Sequence, residues 1–332
     1  MLTKGKQKKL TIVLAVILAI FLIAVVWISN LMFNFALNPN SNYTMIDLLP
    51  ADQMADTEQS SDGNTGGENS PGLQEFYEEA AAWFETAKES ALTSEDGLAL
   101  KARYFPQEDS HRYAIICHGY GGNGAQMFGY ARQFYNMGCS VLVPDARAHG
   151  ESGGAYYGMG WLERKDILGW ADQLIAADPA AEIVLFGVSM GGATVMMTAG
   201  EKLPEQIKCI VEDCGYTSVW DEFSLQLRSL FDAPDFPLMY TTDLVCRLRA
   251  GYGFQEASSV EQLKKAEIPM LFIHGEEDTF VPYSMLDQVY DACASTEKEK
   301  LTISNAGHGV AASTDPDLYW STVETFINKH LG

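Results

Sequence analysis

The sequence predicts an α/β domain on a mainly parallel sheet, tethered to a membrane by one N-terminal helix. Three observations predict it. Apolar runs of strand length alternate with helical stretches between 113 and 303. A G-x-S-x-G motif at Gly187–Gly191 stands between one such run and a helical stretch. A charge-free apolar stretch, Leu10–Ile28, follows four lysines in the first nine positions.

In chain order, the lysines come first. Lys4, Lys6, Lys8 and Lys9 precede the apolar run, and no acidic residue occurs before Asp47. The 19 residues Leu10–Ile28 rise about 1.5 Å each, or roughly 28 Å as a helix, close to a bilayer core. Lysines stay on the cytoplasmic side, so the bulk of the chain is expected outside. The competing reading is a cleaved signal peptide followed by secretion. Its apolar region is normally only about 7–15 residues, with an A-x-A-like site after it. Trp27-Ile28-Ser29-Asn30 offers no clean site. The expectation is a basic cytoplasmic tail at 1–9 and a transmembrane anchor at 10–33 in the cell membrane.

Residues 34–71 read as a flexible linker, rich in Asn, Ser, Asp and Gly, as in Ser60-Ser61-Asp62-Gly63-Asn64-Thr65-Gly66-Gly67. A short apolar patch, Met45–Leu49, interrupts it without an assignable role. Residues 72–332 read as one globular domain. Phe76, Ala80, Trp83, Phe84 and Ala87 recur at helical spacing as a core-facing stripe. Ser94-Glu95-Asp96-Gly97 is a turn between short strands. The strand-like runs are Tyr113–Cys117, Ser140–Pro144, Glu182–Phe186, Cys209–Glu212, Met270–His274 and Leu301–Ile303. Continuous apolar runs fit strands buried on both faces. Phe223–Phe254 breaks the rhythm with helical character and many large apolar residues. An insertion of this size, about 222–256, reads as a lid or as an extra packing layer.

Whole-chain composition sets outer bounds. The 332 residues are 47% hydrophobic and 20% charged, which excludes a wholly disordered chain. Twenty-two basic against 44 acidic residues give a net charge of −22, which repels phosphate backbones and argues against a nucleic-acid partner.

The chemistry concentrates around Ser189. Strand, G-x-S-x-G and helix in this order form a nucleophile elbow, in which the serine occupies a strained tight turn and the glycines leave room for the chain. The helix beneath it favours developing negative charge. A serine hydroxyl is a weak nucleophile and needs a base, and the base needs an orienting acid. Three histidines follow Ser189: His274, His308 and His330. His308, in the loop Asn305-Ala306-Gly307-His308-Gly309 after a strand, is the expected base. The expected acid is Asp278, after the Met270–Gly275 strand and turn, with Asp213, Glu276 and Glu277 as alternatives. The oxyanion of a tetrahedral intermediate needs backbone N–H donors. Met190, after the nucleophile, and Tyr120, in His118-Gly119-Tyr120-Gly121-Gly122, are the candidates.

That glycine loop also imitates a different chemistry. Gly119, Gly121 and Gly124 spell G-x-G-x-x-G after a strand, and Asp145 closes the next one, as in dinucleotide-binding folds. A nucleotide reading leaves Ser189, Asp278 and His308 unexplained, whereas a hydrolase reading uses both glycine clusters.

With these motifs in view, the sequence resembles the α/β-hydrolase superfamily over about 94–330. The resemblance rests on Cys117–Gly122, Asp145-Ala146-Arg147-Ala148-His149-Gly150-Glu151-Ser152, Gly187–Gly192, His274–Asp278 and Gly307–Gly309, in that order. It implies a mostly parallel eight-stranded sheet with helices on both faces, a Ser-His-Asp triad and a lid after the sixth strand. It also implies that Arg147 and His149 are architectural. The Asp213-Cys214-Gly215-Tyr216-Thr217-Ser218 run is similar to bacterial membrane-anchored serine esterases and acyl hydrolases. The expected activity is cleavage of carboxylic esters or thioesters, lipid-like ones included, through an acyl-enzyme. A serine peptidase on the same triad, a nucleotide-dependent oxidoreductase and a silent binding domain are the alternatives. No His/Cys/carboxylate cluster has metal-site spacing, and neither metal nor cofactor is expected. Cys117, Cys139, Cys209 and Cys214 sit in or beside strands and read as small buried hydrophobes, while the six cysteines permit fifteen full pairings among which the sequence does not choose.

Overall fold

A computed structural model describes residues 4–48 and 71–332; most of the expected linker, 49–70, lies outside the described residues. The eight strands among the described residues are β1 (Lys88–Thr93), β2 (Ala99–Phe105), β3 (Arg112–Cys117), β4 (Ser140–Pro144), β5 (Glu182–Val188), β6 (Ile207–Asp213), β7 (Met270–Gly275) and β8 (Lys298–Ile303). They form one sheet in the order β1-β2-β4-β3-β5-β6-β7-β8. Only β2 runs antiparallel to its neighbours; the others are parallel. Each expected run overlaps a strand, and β1 and β2 pair around the Ser94–Gly97 turn, where Gly97 has φ 86°.

Side chains alternate across the sheet, so neighbours fill different cores. Ile116, Val184 and Phe186 pack with Phe134, Tyr319 and Phe326 on one face. Ile115, Ile183 and Leu185 pack with Trp170, Val195 and Phe272 on the other. Both faces are therefore covered, which is why the central strands read as unbroken apolar runs. The covering helices include α2 (Pro71–Phe84), α3 (Phe128–Asn136), α4 (Glu163–Ala177) and α5 (Met190–Ala199).

The first helix, α1, runs from Lys4 to Leu37. It begins inside the expected cytoplasmic tail and continues through residues 34–37, expected as linker. Its apolar part has an 18-residue window of mean hydropathy 3.2, none of it buried, and is a candidate membrane span. Thirty-four residues rise about 51 Å, more than a bilayer core needs. The surplus packs on the domain. Val25, Ser29, Phe33, Ala36 and Leu37 recur on one helical face and are buried. Met45, in the unassigned patch, is buried as well.

The segment expected as a lid forms two helices between β6 and β7: α6 (Val219–Phe231) and α7 (Leu238–Arg249). Ser218 caps α6 by accepting from Asp221 N at 3.0 Å. α1 rests on α7, with Ser29 Oγ donating to Thr241 Oγ1 at 2.6 Å and Arg249 donating to Asn30 Oδ1 at 2.7 Å. A third apolar cluster joins Phe33 and Leu37 of α1, Phe223 and Leu227 of α6, Met239 of α7, and Met190 and Phe280 beside the site. Phe236, Tyr240 and Leu248 of this segment face outward. The remaining helices are α8 (Ser259–Leu263), α9 (Ser284–Ala292), α10 (Ala311–Thr314) and α11 (Pro316–His330).

Candidate active site

β5 ends at Val188 and α5 begins at Met190, which leaves Ser189 alone in the turn with φ 58° and ψ −117°. That left-handed conformation is strained for a serine. Neighbouring chain explains why the motif needs glycines. A Cβ on Gly187 would stand 2.1 Å from Gly191 O, and one on Gly191 2.1 Å from Cys117 O. The elbow is thus wedged between its own helix and the end of β3. Ser189 N donates to Asp213 O at 2.8 Å, which ties the turn to β6.

Three sequence-predicted residues meet here. Ser189 Oγ lies 2.8 Å from His308 Nε2, and His308 Nδ1 lies 2.7 Å from Asp278 Oδ2. The other Asp278 oxygen accepts from Phe280 N at 3.0 Å and Val281 N at 2.9 Å. His308 stands in the loop after β8, between Asn305 (φ 60°) and Gly309 (φ 71°). All three side chains are buried: Ser189 is 9% exposed, and Asp278 and His308 are 4% exposed.

The electrostatics suit proton transfer. Burial pushes the Asp278 carboxyl up, but the His308 charge and hydrogen bonds from His274 and His308 outweigh it and bring the pKa down to about 2. Burial pushes the His308 imidazole down, but the Asp278 charge and hydrogen bond, with Glu222 and Asp213 further off, lift it above its ordinary 6.5. An ionised carboxylate held against a ring nitrogen fixes the tautomer and leaves Nε2 able to take the serine proton.

The alternative acids and bases are placed elsewhere. Asp213 accepts from Tyr319 OH at 2.8 Å. Glu276 meets Ser304 Oγ at 2.9 Å, and Glu277 is exposed. His330 packs on Phe326 in α11. His274, set aside as a base, does lie at the site: its Nε2 is 2.8 Å from Val281 O and 3.1 Å from Asp278 Oδ2. It holds the Asp278 loop, a role that the sequence signalled only through its place four residues before the acid. Glu222 and Gln226 were also missed. Burial pushes the Glu222 carboxyl up to about 8. Gln226 donates to Glu222 Oε1 at 2.8 Å and to Phe280 O at 3.2 Å, joining α6 to the Asp278 loop. As a first-turn acid of a helix, Glu222 carries no sequence signal of that burial.

The two candidate oxyanion donors border the serine. Met190 is the first residue of α5, where an N–H has no intrahelical partner. The Tyr120 loop lies alongside, since a Cβ on Gly119 would stand 3.6 Å from Ser189 Cβ. Two histidines latch this loop. His118 Nε2 accepts from Ala146 N at 3.0 Å, and His149 Nε2 accepts from Gly121 N at 3.2 Å. Burial pushes both imidazoles down, so each stays a neutral acceptor. Arg147 clamps the same turn with two hydrogen bonds to Asp166, at 2.8 and 2.7 Å. The carboxylate of Asp145, which a nucleotide reading would aim at a ribose, accepts instead from Gly124 N at 2.7 Å and Glu151 N at 2.8 Å.

Cys214 Sγ, Asp278 and His308 are the group among the described residues with metal-ligand atoms within 4.8 Å of one another. Burial and the neighbouring carboxylates push the Cys214 thiol well above its usual range, which keeps it a neutral, weak ligand. Both His308 nitrogens are engaged by Ser189 and Asp278. The donor set therefore fits a proton relay better than a metal. All six cysteines are free and buried.

Comparison with known proteins bears on the family and the fold. Residues 126–332 match the model of the prolyl oligopeptidase family. The protein YqkD of Bacillus subtilis is 28% identical over 249 residues, 74% of this chain and 81% of that protein. A monoacylglycerol lipase of Mycolicibacterium smegmatis is 22% identical over 262 residues, 68% of this chain and 91% of that protein. Among solved structures, the esterase Pf2001 of Pyrococcus furiosus superposes with a TM-score of 0.61 at 22% identity, over 81% of this chain and 98% of that one. The chain thus has the α/β-hydrolase fold.

Proposed function

Given that the chain belongs to the prolyl oligopeptidase family, we propose that it is a serine hydrolase that cleaves carboxylic esters or thioesters through an acyl-enzyme. The observation that carries the reading is the buried chain of contacts from Ser189 Oγ through His308 to Asp278, at 2.8 and 2.7 Å. Ser189 attacks the carbonyl carbon while His308 Nε2 takes its proton. The oxyanion that forms is held by the N–H groups of Met190 and Tyr120. His308 then protonates the leaving alcohol or thiol. A water, deprotonated by His308, attacks the acyl-Ser189 carbonyl, and His308 returns that proton to Ser189 Oγ as the C–O bond to the serine breaks and the acid leaves. Asp278 stays ionised and holds the imidazole throughout.

Two observations support esters over peptides. The surroundings of Met190 and Phe280 are apolar, built from Phe33, Leu37, Phe223 and Leu227. A peptide would need polar partners for its backbone groups. A related protein, moreover, carries the name monoacylglycerol lipase. The family name favours a second reading, a serine peptidase on the same three residues. Turnover of nitrophenyl acyl esters, measured beside aminoacyl and prolyl anilides, separates the two. Esters cleaved and anilides untouched is the expected result; the reverse would establish the peptidase. In the same reading α1 is a membrane anchor with Lys4, Lys6, Lys8 and Lys9 in the cytoplasm and the catalytic domain outside. Protease added to intact cells should then digest the domain.

A further inference from the structure

We propose that the groove between α1, α6 and α7 is an acyl-chain site filled from the bilayer, so that the anchor helix forms part of the substrate-binding surface. This rests on the ester-hydrolase reading and on α1 spanning the membrane. The groove is open on one side and lined almost wholly by apolar side chains. Met32, Phe35 and Ala36 of α1 form one wall, and Leu227 and Leu230 of α6 with Leu238 of α7 form the other.

Two hydrogen bonds tie the groove's walls to the residues around the candidate site. Ala36 O accepts from Tyr120 OH at 2.7 Å, which joins its α1 wall to the candidate oxyanion loop. Gln226, also in the lining, donates to Phe280 O, and the Phe280 ring lies 4.9 Å from that of His308. Ser189 itself is only 9% exposed, so a substrate reaches it through its protein surroundings, and this groove is the apolar surface joined to them by those contacts.

The outer end points to a lipid source. α1 continues from the groove as an apolar rod with Ile20, Ile23, Val26 and Trp27 exposed. Beside it, Phe236, Tyr240, Leu244 and Leu248 stand at four-residue intervals and are 74, 54, 55 and 78% exposed. Within α7, four-residue spacing places Tyr240, Leu244 and Leu248 on one helix face, and Phe236 lies just before its start. An exposed apolar stripe on a helix packed against a membrane span is the pattern of a helix lying in the bilayer interface. The chemistry that fits is a long acyl chain with its ester at the headgroup level.

The test uses the full-length protein in phospholipid nanodiscs. A palmityl fluorophosphonate with a diazirine at its far end is reacted, irradiated and mapped by peptide mass spectrometry. The expected result is phosphonylated Ser189 with crosslinks on residues 32–36 and 227–239. Phosphonylated Ser189 with crosslinks instead on the cavity lined by Tyr77, Val310 and Trp320 overturns the groove while leaving the hydrolase reading intact. No phosphonylation of Ser189 overturns the hydrolase reading, and the groove proposal with it. Variants give a second readout. Met32→Trp and Leu230→Trp, which fill the groove, should lower kcat/KM for a palmitoyl ester at least about tenfold, with acetyl ester turnover unchanged. Equal effects on both esters, or none on either, would contradict the assignment.

Discussion

Replacing Asp278 by asparagine should slow ester turnover about 10⁴-fold and leave the protein folded. The size follows from how the site constrains an amide. Asp278 Oδ1 accepts from two backbone donors, Phe280 N and Val281 N, at 3.0 and 2.9 Å. The asparagine oxygen must stay there, because the amide NH₂ would face two N–H groups. The NH₂ is then presented to His308 Nδ1, which has to accept rather than donate. The ring proton moves to Nε2, 2.8 Å from Ser189 Oγ, and the ring can no longer take the serine proton. Four decades of rate correspond to about 5.4 kcal/mol of transition-state stabilisation. The assay is kcat/KM for an acetyl nitrophenyl ester, with circular dichroism to confirm the fold. Asp213→Asn is the comparator, expected to change little because that carboxylate meets Tyr319 rather than His308. A loss of less than about tenfold in Asp278→Asn would refute the tautomer argument.

Three further outcomes are expected. The acidic limb of kcat/KM should lie above pH 6.5, since the raised His308 pKa keeps the ring protonated there and the reaction needs it neutral; a limb below 6.5 in the wild type would oppose the assignment. His149→Phe keeps the stacking on Tyr157 but removes the acceptor for Gly121 N, at a cost of about 1–3 kcal/mol in urea unfolding and with kcat reduced more than KM; an unchanged unfolding midpoint would show that the latch carries no load. Gly191→Ala pushes a methyl to 2.1 Å from the Cys117 carbonyl oxygen, a backbone atom that cannot step aside, so a cooperative thermal transition should be lost or greatly lowered; an unchanged Tm would overturn that packing argument.

What could be read from the sequence divides by how local its cause is. The central strands were legible because burial on both faces writes an unbroken apolar run. The elbow was legible because its glycines answer to atoms a few residues away, and Ser189, Asp278 and His308 fall in the chain order that such a turn requires. Contacts between distant segments were not. The docking of α1 on α7 through Ser29 and Thr241 depends on a pairing 212 residues apart, so residues 34–37 looked like linker when they end a packed helix. His274 illustrates the same limit. Its position at the end of a strand says nothing of its Nε2 lying 3.1 Å from Asp278 Oδ2. Glu222 reads as an ordinary helix-start acid until α6 is laid over Phe280.

The most direct measurement of the central claim is the adduct formed by a fluorophosphonate probe on the wild-type protein and on Ser189→Ala, mapped by mass spectrometry alongside acetyl ester turnover. The account predicts one adduct, on Ser189, and loss of both labelling and turnover in Ser189→Ala. Turnover that survives in a folded Ser189→Ala protein, or an adduct on another residue, would contradict it.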